Sequence, residues 1–420
     1  MVHSAGYFAL GRGAVDHLKT PHLRAAAVAV LLTVLLACLL TYEARRFESE
    51  HERRTSLVFF PQKSNGSALQ RLAFKLSHYL PIYGSSELGS YELQKRVKTK
   101  PGDFFVSRPT GFLTYPVGRG GTTPLVMLQE IASVGDTVRG HKLVIVLSPN
   151  WFSGPLNVGN YEGNATLLHL GNLLFGTWSD SLKQATAKRL AQFPNTLAKS
   201  DLLRLETQLY AEGSPRDLVL AHLLNPFGRS WLFLLRVMDD WKTVTELLST
   251  ARHFPEPPPV QHRSVNWADE EVDAEAVSNI EATWVGHAPE DGDPPTEMPP
   301  VGPLKKRIRA SGVEFASSDV WGDYELLLRV LHETGAKALI LSVPQDGPIS
   351  DKNGVTFPVR NVYYQRVRQL AAQYGYPART FEEHEYDGNF LIEHVSHLTD
   401  KGWLFLDEVI DAFYHDQLHS

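Results

Sequence analysis

The feature that most constrains this chain is an apolar stretch near its N-terminus, residues 25–42. It contains almost only alanine, valine and leucine, together with the single cysteine of the chain, Cys38. As a helix rising about 1.5 Å per residue it would span about 27 Å, close to the thickness of a bilayer core. Residues 38–42 offer no signal-peptidase site, and charged residues follow directly. The stretch is therefore predicted to be an uncleaved transmembrane anchor; the alternative is a helix buried in a globule.

The anchor divides the chain into a short tail and a large C-terminal region. We predict a cytoplasmic tail over residues 1–24, a charged juxtamembrane helix over 43–56 and an extracytoplasmic domain over 57–420. Arginines flank both ends of the anchor, so charge alone does not fix its direction. The short tail favours an N-in orientation, and a globule without cysteine suits an extracytoplasmic compartment. We expect a single-pass membrane protein attached through this one helix.

Charge and residue spacing argue against several classes of function. A net charge of −6 is mild and gives no reason to expect nucleic-acid binding. The 17 histidines show no spacing typical of a zinc site. The glycine-rich segment 118–123 lacks the Gly-Lys-Ser/Thr ending of a phosphate-binding loop and is predicted to be a turn near the site. We expect no metal and no cofactor.

Alternating strand and helix patterns predict an α/β fold with a mainly parallel sheet. Three apolar runs are typical of buried strands. They are residues 80–83, the run that opens the segment 142–152 ahead of a loop, and residues 336–344. Residues 57–60 and 379–381 are predicted to be further short strands.

The segments between these strands differ in composition. Residues 100–123 are rich in glycine, proline and threonine and are predicted to form a loop. Residues 167–254 have helical patterns too long for one crossover, so we predict a helical insertion over the sheet. Residues 255–311 are acidic and rich in proline, which predicts an exposed segment with one surface helix near its start.

A strand followed by a tight turn with two serines is the first candidate site. The predicted strand ends at Gly84, and Ser85, Ser86 and Glu87 follow before a helical pattern begins. Such a turn holds a hydroxyl clear of the sheet, next to a helix N-terminus that favours negative charge. A serine nucleophile is one interpretation. The other is a helix cap with Glu87 in the first helical turn.

Two further polar residues are predicted to lie at the same sheet edge. Asn150 lies where the strand that opens the segment 142–152 should end, and His397 precedes the last helix. Acyl transfer through serine needs a hydroxyl, a base that removes its proton, and donors that stabilise the oxyanion. A serine near the start and a histidine near the end of the chain resemble the order in SGNH-type hydrolases, and Ser86 is the better candidate nucleophile, with Ser85 in reserve.

The sequence also resembles the DltD family, the D-alanyl-lipoteichoic acid biosynthesis proteins of bacterial envelopes. The anchor and several motifs in the same order carry this resemblance. The motifs are Gly84-Ser-Ser-Glu-Leu88, Leu147-Ser-Pro-Asn-Trp-Phe152, Asp323-Tyr-Glu-Leu-Leu-Leu328, Gly335-Ala-Lys-Ala-Leu-Ile-Leu341 and His397-Leu-Thr-Asp-Lys-Gly-Trp403.

The resemblance implies an SGNH-like domain on one anchor in the bacterial cell membrane. It implies work beside a membrane-bound O-acyltransferase in D-alanyl transfer onto an envelope polymer, with an acyl carrier protein as a further candidate partner. Ser86 would be the nucleophile and His397 the base. Asn150, with the Ser86 amide, would stabilise the oxyanion, although the family commonly has glutamine at the position of Asn150. Ser85, Glu87 and Trp151 are possible substrate-lining residues.

The sequence departs from the family pattern at the third member of the triad. The family has aspartate three residues before the histidine, whereas this chain has His394, preceded by Glu393. An acidic residue there orients the base and stabilises its charged form. Glu393 is the leading candidate. His394, Asp387, Asp400 or a backbone carbonyl are the alternatives, and in the remaining interpretation the triad is incomplete and His394 and His397 are ordinary loop histidines.

Three functions remain open at this point. The first is a serine acyltransferase or thioesterase that moves D-alanine or another small acyl group. The second is a non-catalytic partner that recruits a carrier protein or polymer to the membrane acyltransferase. The third is an esterase that removes acyl groups from an envelope carbohydrate.

Overall fold

The computed structural model describes residues 21–88, 97–255, 259–281, 312–392 and 397–418. The strands are β1 (Tyr79–Gly84), β2 (Leu113–Gly118), β3 (Lys142–Leu147), β4 (Lys337–Ser342) and β5 (Ala378–Arg379). The helices of the described part are α1 (Pro21–Glu50), α2 (Phe60–Asn65), α3 (Ala68–Lys75), α4 (Pro101–Ser107), α5 (Pro124–Val134), α6 (Val158–Asn164), α7 (Leu167–Phe175), α8 (Asp180–Leu190), α9 (Pro194–Leu197), α10 (Asp201–Glu212), α11 (Pro215–His253), α12 (Trp267–Glu281), α13 (Gly312–Ser317), α14 (Val320–Thr334), α15 (Gly347–Lys352), α16 (Phe357–Gln373) and α17 (Asp400–Tyr414).

The five strands form one parallel sheet in the order β2-β1-β3-β4-β5. The predicted α/β fold is therefore confirmed, and an SGNH-like arrangement is consistent with it. All the carboxyl ends of the strands lie at one edge of the sheet because neighbouring strands are parallel. This edge is where an open α/β sheet binds its ligands.

The sheet is buried on both faces. Tyr83 and Ile145 belong to one apolar core, which α5, α7 and α14 help to cover. Ile82 and Val144 point the opposite way into a second core, which α4, α12 and α17 complete. Successive residues of a strand alternate between faces, so strands covered on both sides are apolar throughout.

Two sequence predictions in the N-terminal part of the sheet were wrong. Residues 57–60 do not form a strand, because the chain follows a 3-10 turn over Glu52–Leu57 and enters α2 at Phe60. Residues 100–123 are not all loop, since they contain α4 and β2. β2 lies at the edge of the sheet, where Pro116 is tolerated because only one side of the strand is paired.

The apolar residues 25–42 lie within α1, which continues without interruption to Glu50. The juxtamembrane helix predicted over 43–56 is thus the end of α1 plus the following 3-10 turn. α1 is long and apolar enough to cross a membrane. The side chains of residues 24–36 are exposed, and Ala37 is the first described residue that is buried. The apolar part of α1 therefore projects from the globule.

α11 also has the length and composition of a membrane span. Its carboxylates nevertheless make contacts inside the globule. Asp239 accepts hydrogen bonds from the backbone N–H groups of Ser67 and Ala68 at the start of α3. Asp240 forms an ion pair with Arg71 at 3.0 Å. Both carboxylates are buried, so this part of α11 packs against α3, outside the segment 167–254.

α12 fulfils the prediction of a helix in the acidic, proline-rich segment 255–311; residues 282–311 lie outside the described part of the chain. One face of α12 is buried against α17. The carboxylate of Glu281 accepts a hydrogen bond from the backbone N–H of Asp400 at 2.7 Å, and Lys401 pairs with Glu275 at 2.8 Å. α12 therefore braces the first turn of α17, just after His397.

Candidate active site

The turn after β1 places two consecutive serines at the carboxyl edge of the sheet. Gly84 is paired in register with Gly118 of β2, and the two backbones approach closely. A Cβ atom on Gly118 would lie 2.1 Å from the carbonyl oxygen of Gly84, and Gly118 has φ +152°. Only glycine fits there without strain. The close approach fixes the direction in which the chain leaves β1 toward Ser85 and Ser86.

Ser86 meets His397 across 311 positions of sequence. Its Oγ lies 3.1 Å from Nε2 of His397, within hydrogen-bonding distance. His397 is buried, with 4% of its surface exposed. Its carbonyl oxygen accepts a hydrogen bond from the N–H of Ile392 at 2.8 Å, and Thr399 caps α17 two residues later. Contacts on both sides of the histidine thus position its backbone at the cavity.

Ser85 has a different environment from Ser86. Its side chain is buried, and its hydroxyl donates to the carbonyl oxygen of Arg119 at 3.2 Å. Its backbone N–H donates to Oε1 of Glu87 at 2.5 Å. Ser85 therefore ties the turn to the glycine-rich segment after β2, while Ser86 carries the hydroxyl that contacts the histidine.

Glu87 places a carboxyl group inside the site. Only 1% of its surface is exposed. Burial raises its pKa from 4.5 to about 7, although the hydrogen bond from the Ser85 N–H and the charge of His397 act in the opposite direction. A carboxyl group with this pKa can change its charge near neutral pH. Perturbed acids of this kind are frequent at functional sites.

One cavity of about 500 Å³ is lined by the predicted nucleophile, base, oxyanion donors and substrate-lining residues that the structure describes. These residues are Ser85, Ser86, Glu87, Asn150, Trp151 and His397. Asn150 and Trp151 come from the 3-10 turn over Pro149–Phe152, directly after β3. The strand ends therefore bring the predicted residues together, as expected for a parallel sheet.

The cavity also has lining residues that the sequence did not single out individually. They are Gly120, Gly121, Thr123, Ser148, Pro155, Leu156, Asn157 and Asn160. The first three belong to the segment predicted to be a turn near the site, and that prediction is confirmed. Asn157 is the N-cap of α6, and its side chain accepts a hydrogen bond from the N–H of Asn160. Asparagine is a preferred N-cap residue, so the sequence could have indicated this cap. No local pattern indicated that this cap faces the cavity.

The candidates for the third member of the triad fall into two groups. Glu393 and His394 lie outside the described residues. Asp387 lies 2.8 Å from Nδ1 of His384 and 3.6 Å from Lys401. Asp400 accepts hydrogen bonds from the backbone N–H groups of Lys98 and Thr99, at 2.7 and 2.6 Å. Asp387 and Asp400 thus have structural partners of their own.

Comparison with known proteins gives the family. A family model described as "DltD protein" matches residues 58–415, which include every residue of the site described above. The chain belongs to the DltD family. The matched region begins after α1 and extends through α17, so the DltD match covers the whole sheet and the helical insertion.

Two curated DltD proteins match over most of their length. The chain is 27% identical over 369 residues to Protein DltD of Bacillus subtilis (strain 168), covering 86% of this chain and 89% of that protein. It is 24% identical over 361 residues to Protein DltD of Staphylococcus aureus (strain NCTC 8325 / PS 47), covering 86% of each. The resemblance predicted from the motifs is therefore confirmed.

Proposed function

We propose that this DltD protein is a membrane-anchored serine acyltransferase or thioesterase. It takes part in moving D-alanyl, or another small acyl group, onto an envelope polymer such as teichoic acid. Family membership links the chain to D-alanylation of teichoic acid. The observation that carries the catalytic part is the 3.1 Å contact between Ser86 Oγ and His397 Nε2 in the cavity at the carboxyl edge of the sheet.

In the first half of the proposed reaction, Ser86 Oγ attacks the carbonyl carbon of an activated acyl donor. Nε2 of His397 accepts the hydroxyl proton as the new C–O bond forms. The tetrahedral intermediate then collapses, the donor leaves as a thiol or alcohol that takes the proton from His397, and an acyl ester remains on Ser86. In the second half, a polymer hydroxyl or water attacks this ester, with His397 again acting as base and then as acid.

The oxyanion of the intermediate needs donors that already lie in the cavity. Asn150 lines the cavity, and its amide can donate a hydrogen bond; the backbone N–H of Ser86 is the second proposed donor. Gly120 adds a third candidate. It lines the same cavity, and its N–H donates to no other group among the described residues. Removing one donor of this kind typically lowers kcat by about 10²–10³-fold.

We retain Glu393 as the third catalytic residue. It lies one residue from the family position, and the two described alternatives are engaged elsewhere, Asp387 with His384 and Asp400 with the backbone at Lys98. Glu393→Gln is expected to lower acylation while leaving the protein folded, because an acid beside a catalytic histidine sets its orientation and stabilises its charge.

The remaining lining residues have proposed roles in substrate contact. Glu87 offers a buried carboxyl to a positively charged group such as the ammonium of a D-alanyl ester. The half-buried Trp151 offers an apolar surface beside the serine turn. Ser85 shapes the floor of the cavity through its bond to Arg119.

The proposed setting is the outer surface of the bacterial cell membrane. α1 would be the single anchor, with the N-terminus inside and the globule outside the cytoplasm. A membrane-bound O-acyltransferase is the proposed protein partner, an acyl carrier protein a possible donor, and the envelope polymer the acceptor. These assignments rest on family membership and on the apolar helix.

Covalent labelling of the detergent-solubilised full chain with a fluorophosphonate tests the nucleophile. We expect one adduct on Ser86, loss of the adduct in Ser86→Ala, and strong reduction in His397→Ala. Ser85→Ala is the matched control, since it removes a neighbouring hydroxyl and should keep the adduct. Labelling of folded Ser86→Ala at the wild-type level would refute the assignment.

Envelope ester content in cells separates the three functions. A strain that depends on this chain should lose D-alanyl esters with Ser86→Ala if the protein is a transferase. Ester content would rise instead if it were an esterase. Unchanged content, with the membrane partner still co-purifying, would point to a recruiting protein without catalysis.

A further inference from the structure

A second cavity, of about 490 Å³, is as large as the proposed active site and is rich in arginine. Two carboxylates, Asp136 and Glu333, are the acidic groups among its lining residues. The arginines that line it are Arg45, Arg71, Arg139, Arg229 and Arg236. Its lining is therefore strongly cationic, although the chain as a whole carries a net charge of −6.

This arginine cavity lies toward the edge of the sheet opposite the serine turn. Arg139 lies just before the first residue of β3, and Thr334 just before the first residue of β4. Ser86 and Asn150 instead follow the last residues of β1 and β3. Strands of six residues span roughly 20 Å, so the two cavities are separate sites.

Three of the arginines have acidic partners. Asp240 lies 3.0 Å from Nη2 of Arg71 and 3.7 Å from Nε of Arg45. Asp136 lies 3.2 Å from Nη2 of Arg139. One carboxylate is thus shared by two guanidinium groups.

The other two arginines donate hydrogen bonds to neutral groups of the described residues. Nε of Arg229 donates to the carbonyl oxygen of Phe175 at 3.2 Å. Nε of Arg236 donates to Oδ1 of Asn172, also at 3.2 Å. Burial, and then the positive charges of Arg71 and Arg45, lower the pKa of Arg236, while the carboxylates of Asp240 and Asp239 act in the opposite direction. A guanidinium has five N–H donors, so both side chains keep donors for another group.

A purely structural role accounts for part of this cluster. Helices α5, α7 and α14 end at the cavity, and cations stabilise the partial negative charge of a helix C-terminus. The bond from Arg229 to Phe175 is such a contact. This role does not account for the remaining guanidinium donors of Arg229 and Arg236 at the cavity wall. A bound anion would accept hydrogen bonds from them, and it would add to the negative charge by which Asp239 and Asp240 already oppose the repulsion of Arg236.

The position of Arg45 indicates where the anion comes from. Arg45 lies three residues beyond Tyr42, the end of the apolar part of α1. At a rise of about 1.5 Å per residue, this puts its Cα about 4.5 Å past the hydrocarbon. That depth is the headgroup layer of a bilayer. The cavity therefore opens where phosphate groups of lipids are concentrated.

We propose that the arginine cavity binds the phosphodiester headgroup of an anionic membrane lipid. Arginine forks match phosphate oxygens with paired hydrogen bonds, and anionic lipids attract basic groups near the membrane surface. The lipid holds α11, α7 and the base of α1 together at the bilayer. The proposal depends on the proposed anchoring of α1 and is independent of the chemistry at Ser86.

Native mass spectrometry of the full chain, released from detergent with added phosphatidylglycerol, tests this proposal. Arg229→Gln/Arg236→Gln is the test variant, because neither arginine leaves a carboxylate unpaired. The matched control is Arg216→Gln/Arg252→Gln, which removes the same charge from two exposed positions of α11 outside the cavity. We expect the test variant to lower phosphatidylglycerol retention by at least about tenfold, and the control to retain it as wild type does.

Two further measurements distinguish a lipid headgroup from free phosphate as the bound group. Zwitterionic phosphatidylcholine should be retained at least about tenfold less than phosphatidylglycerol, and inorganic phosphate at equal concentration should not displace the lipid. Equal retention of both lipids, displacement by phosphate alone, or an unaffected test variant would each overturn the proposal. Fluorophosphonate labelling of Ser86 should persist in the test variant. Loss of lipid with labelling intact therefore separates this inference from the proposed catalysis.

Discussion

The buried carboxyl of Glu87 gives a prediction that links stability to pH. Glu87→Gln replaces it with an amide of nearly the same shape that cannot ionise. The amide oxygen can still accept the hydrogen bond from the Ser85 N–H that the carboxylate accepts at 2.5 Å. The variant therefore isolates the charge of Glu87 from its packing.

The direction in which stability changes with pH follows from the pKa of Glu87, which burial raises from 4.5 to about 7 in the folded protein. Between these two values the unfolded chain has lost the proton that the folded chain retains. The free energy of unfolding of the wild type therefore falls as pH rises through this window. The decrease in the free energy of unfolding is complete above the pKa that Glu87 has in the folded protein. At about 1.4 kcal/mol per pKa unit, this decrease amounts to about 3 kcal/mol.

Thermal unfolding of the full chain in detergent, measured at several pH values, is the assay. Near pH 5 the wild type and Glu87→Gln should have similar Tm values. Near pH 8 the variant should be more stable, by roughly 5 °C if each kcal/mol shifts Tm by roughly 2 °C in a chain of this size. Glu212→Gln, at an exposed position of α10, is the control and should follow the wild type at each pH.

A difference in Tm between wild type and Glu87→Gln that stays constant from pH 5 to pH 8 would refute the reasoning. In that case the carboxyl would not change its protonation in the window set by its burial. A variant less stable than wild type at pH 8 would mean that the charged carboxylate stabilises the turn, and that burial does not dominate its pKa.

The remaining predictions concern packing at the sheet edge and a buried ion pair. Gly118→Ala should destabilise the fold and abolish labelling of the nucleophile, because its Cβ would lie 2.1 Å from a carbonyl oxygen at the end of β1; Gly322→Ala, in a helix with open space around it, should instead stabilise by about 0.5–1 kcal/mol. Asp323→Ala should lower the free energy of unfolding by about 3 kcal/mol, the lower end of the range for a broken buried pair, since this fully buried carboxylate accepts two hydrogen bonds from Arg189 at 2.7 and 2.8 Å while Asp319 stays paired with Arg189. Arg204→Ala, which breaks an exposed pair, should cost less than about 1 kcal/mol. Denaturant unfolding of the full chain measures the last three effects.

The central strands were predictable from sequence because burial on both faces makes them apolar throughout. The run that opens the segment 142–152 and the run over residues 336–344 became β3 and β4, with almost the predicted starting residues. β2 was missed since Leu113-Thr-Tyr-Pro-Val-Gly118 contains proline and ends in glycine, the pattern of a loop. Its place at the sheet edge allows proline, and its close approach to β1 requires glycine. Neither condition is visible in the local sequence.

The site was predictable in part for a related reason. Parallel strands place their carboxyl ends at one edge, so residues following two of them, Ser86 and Asn150, were expected to be neighbours. His397 follows no strand. Its position depends on the hydrogen bond from Ile392 and on the start of α17, which distant residues hold in place, since Glu281 accepts from the N–H of Asp400 and Asp400 accepts from that of Lys98. The division of roles between Ser85 and Ser86 depends on the carbonyl oxygen of Arg119, which no sequence pattern specifies.

The destabilising carboxyl of Glu87 has a use in the proposed reaction. When His397 accepts the proton of Ser86, its ring becomes positively charged, and that charge lowers the pKa of Glu87. Glu87 then ionises more readily and stabilises the charged ring in the transition state. Glu87→Gln should thus be more stable above pH 7 and also slower in acylation, with the deficit growing as pH rises. Stability and activity would change in opposite directions, as they do where a strained or buried group serves catalysis. A variant that gained stability without losing the rate of fluorophosphonate labelling would show that the buried acid has no part in the chemistry.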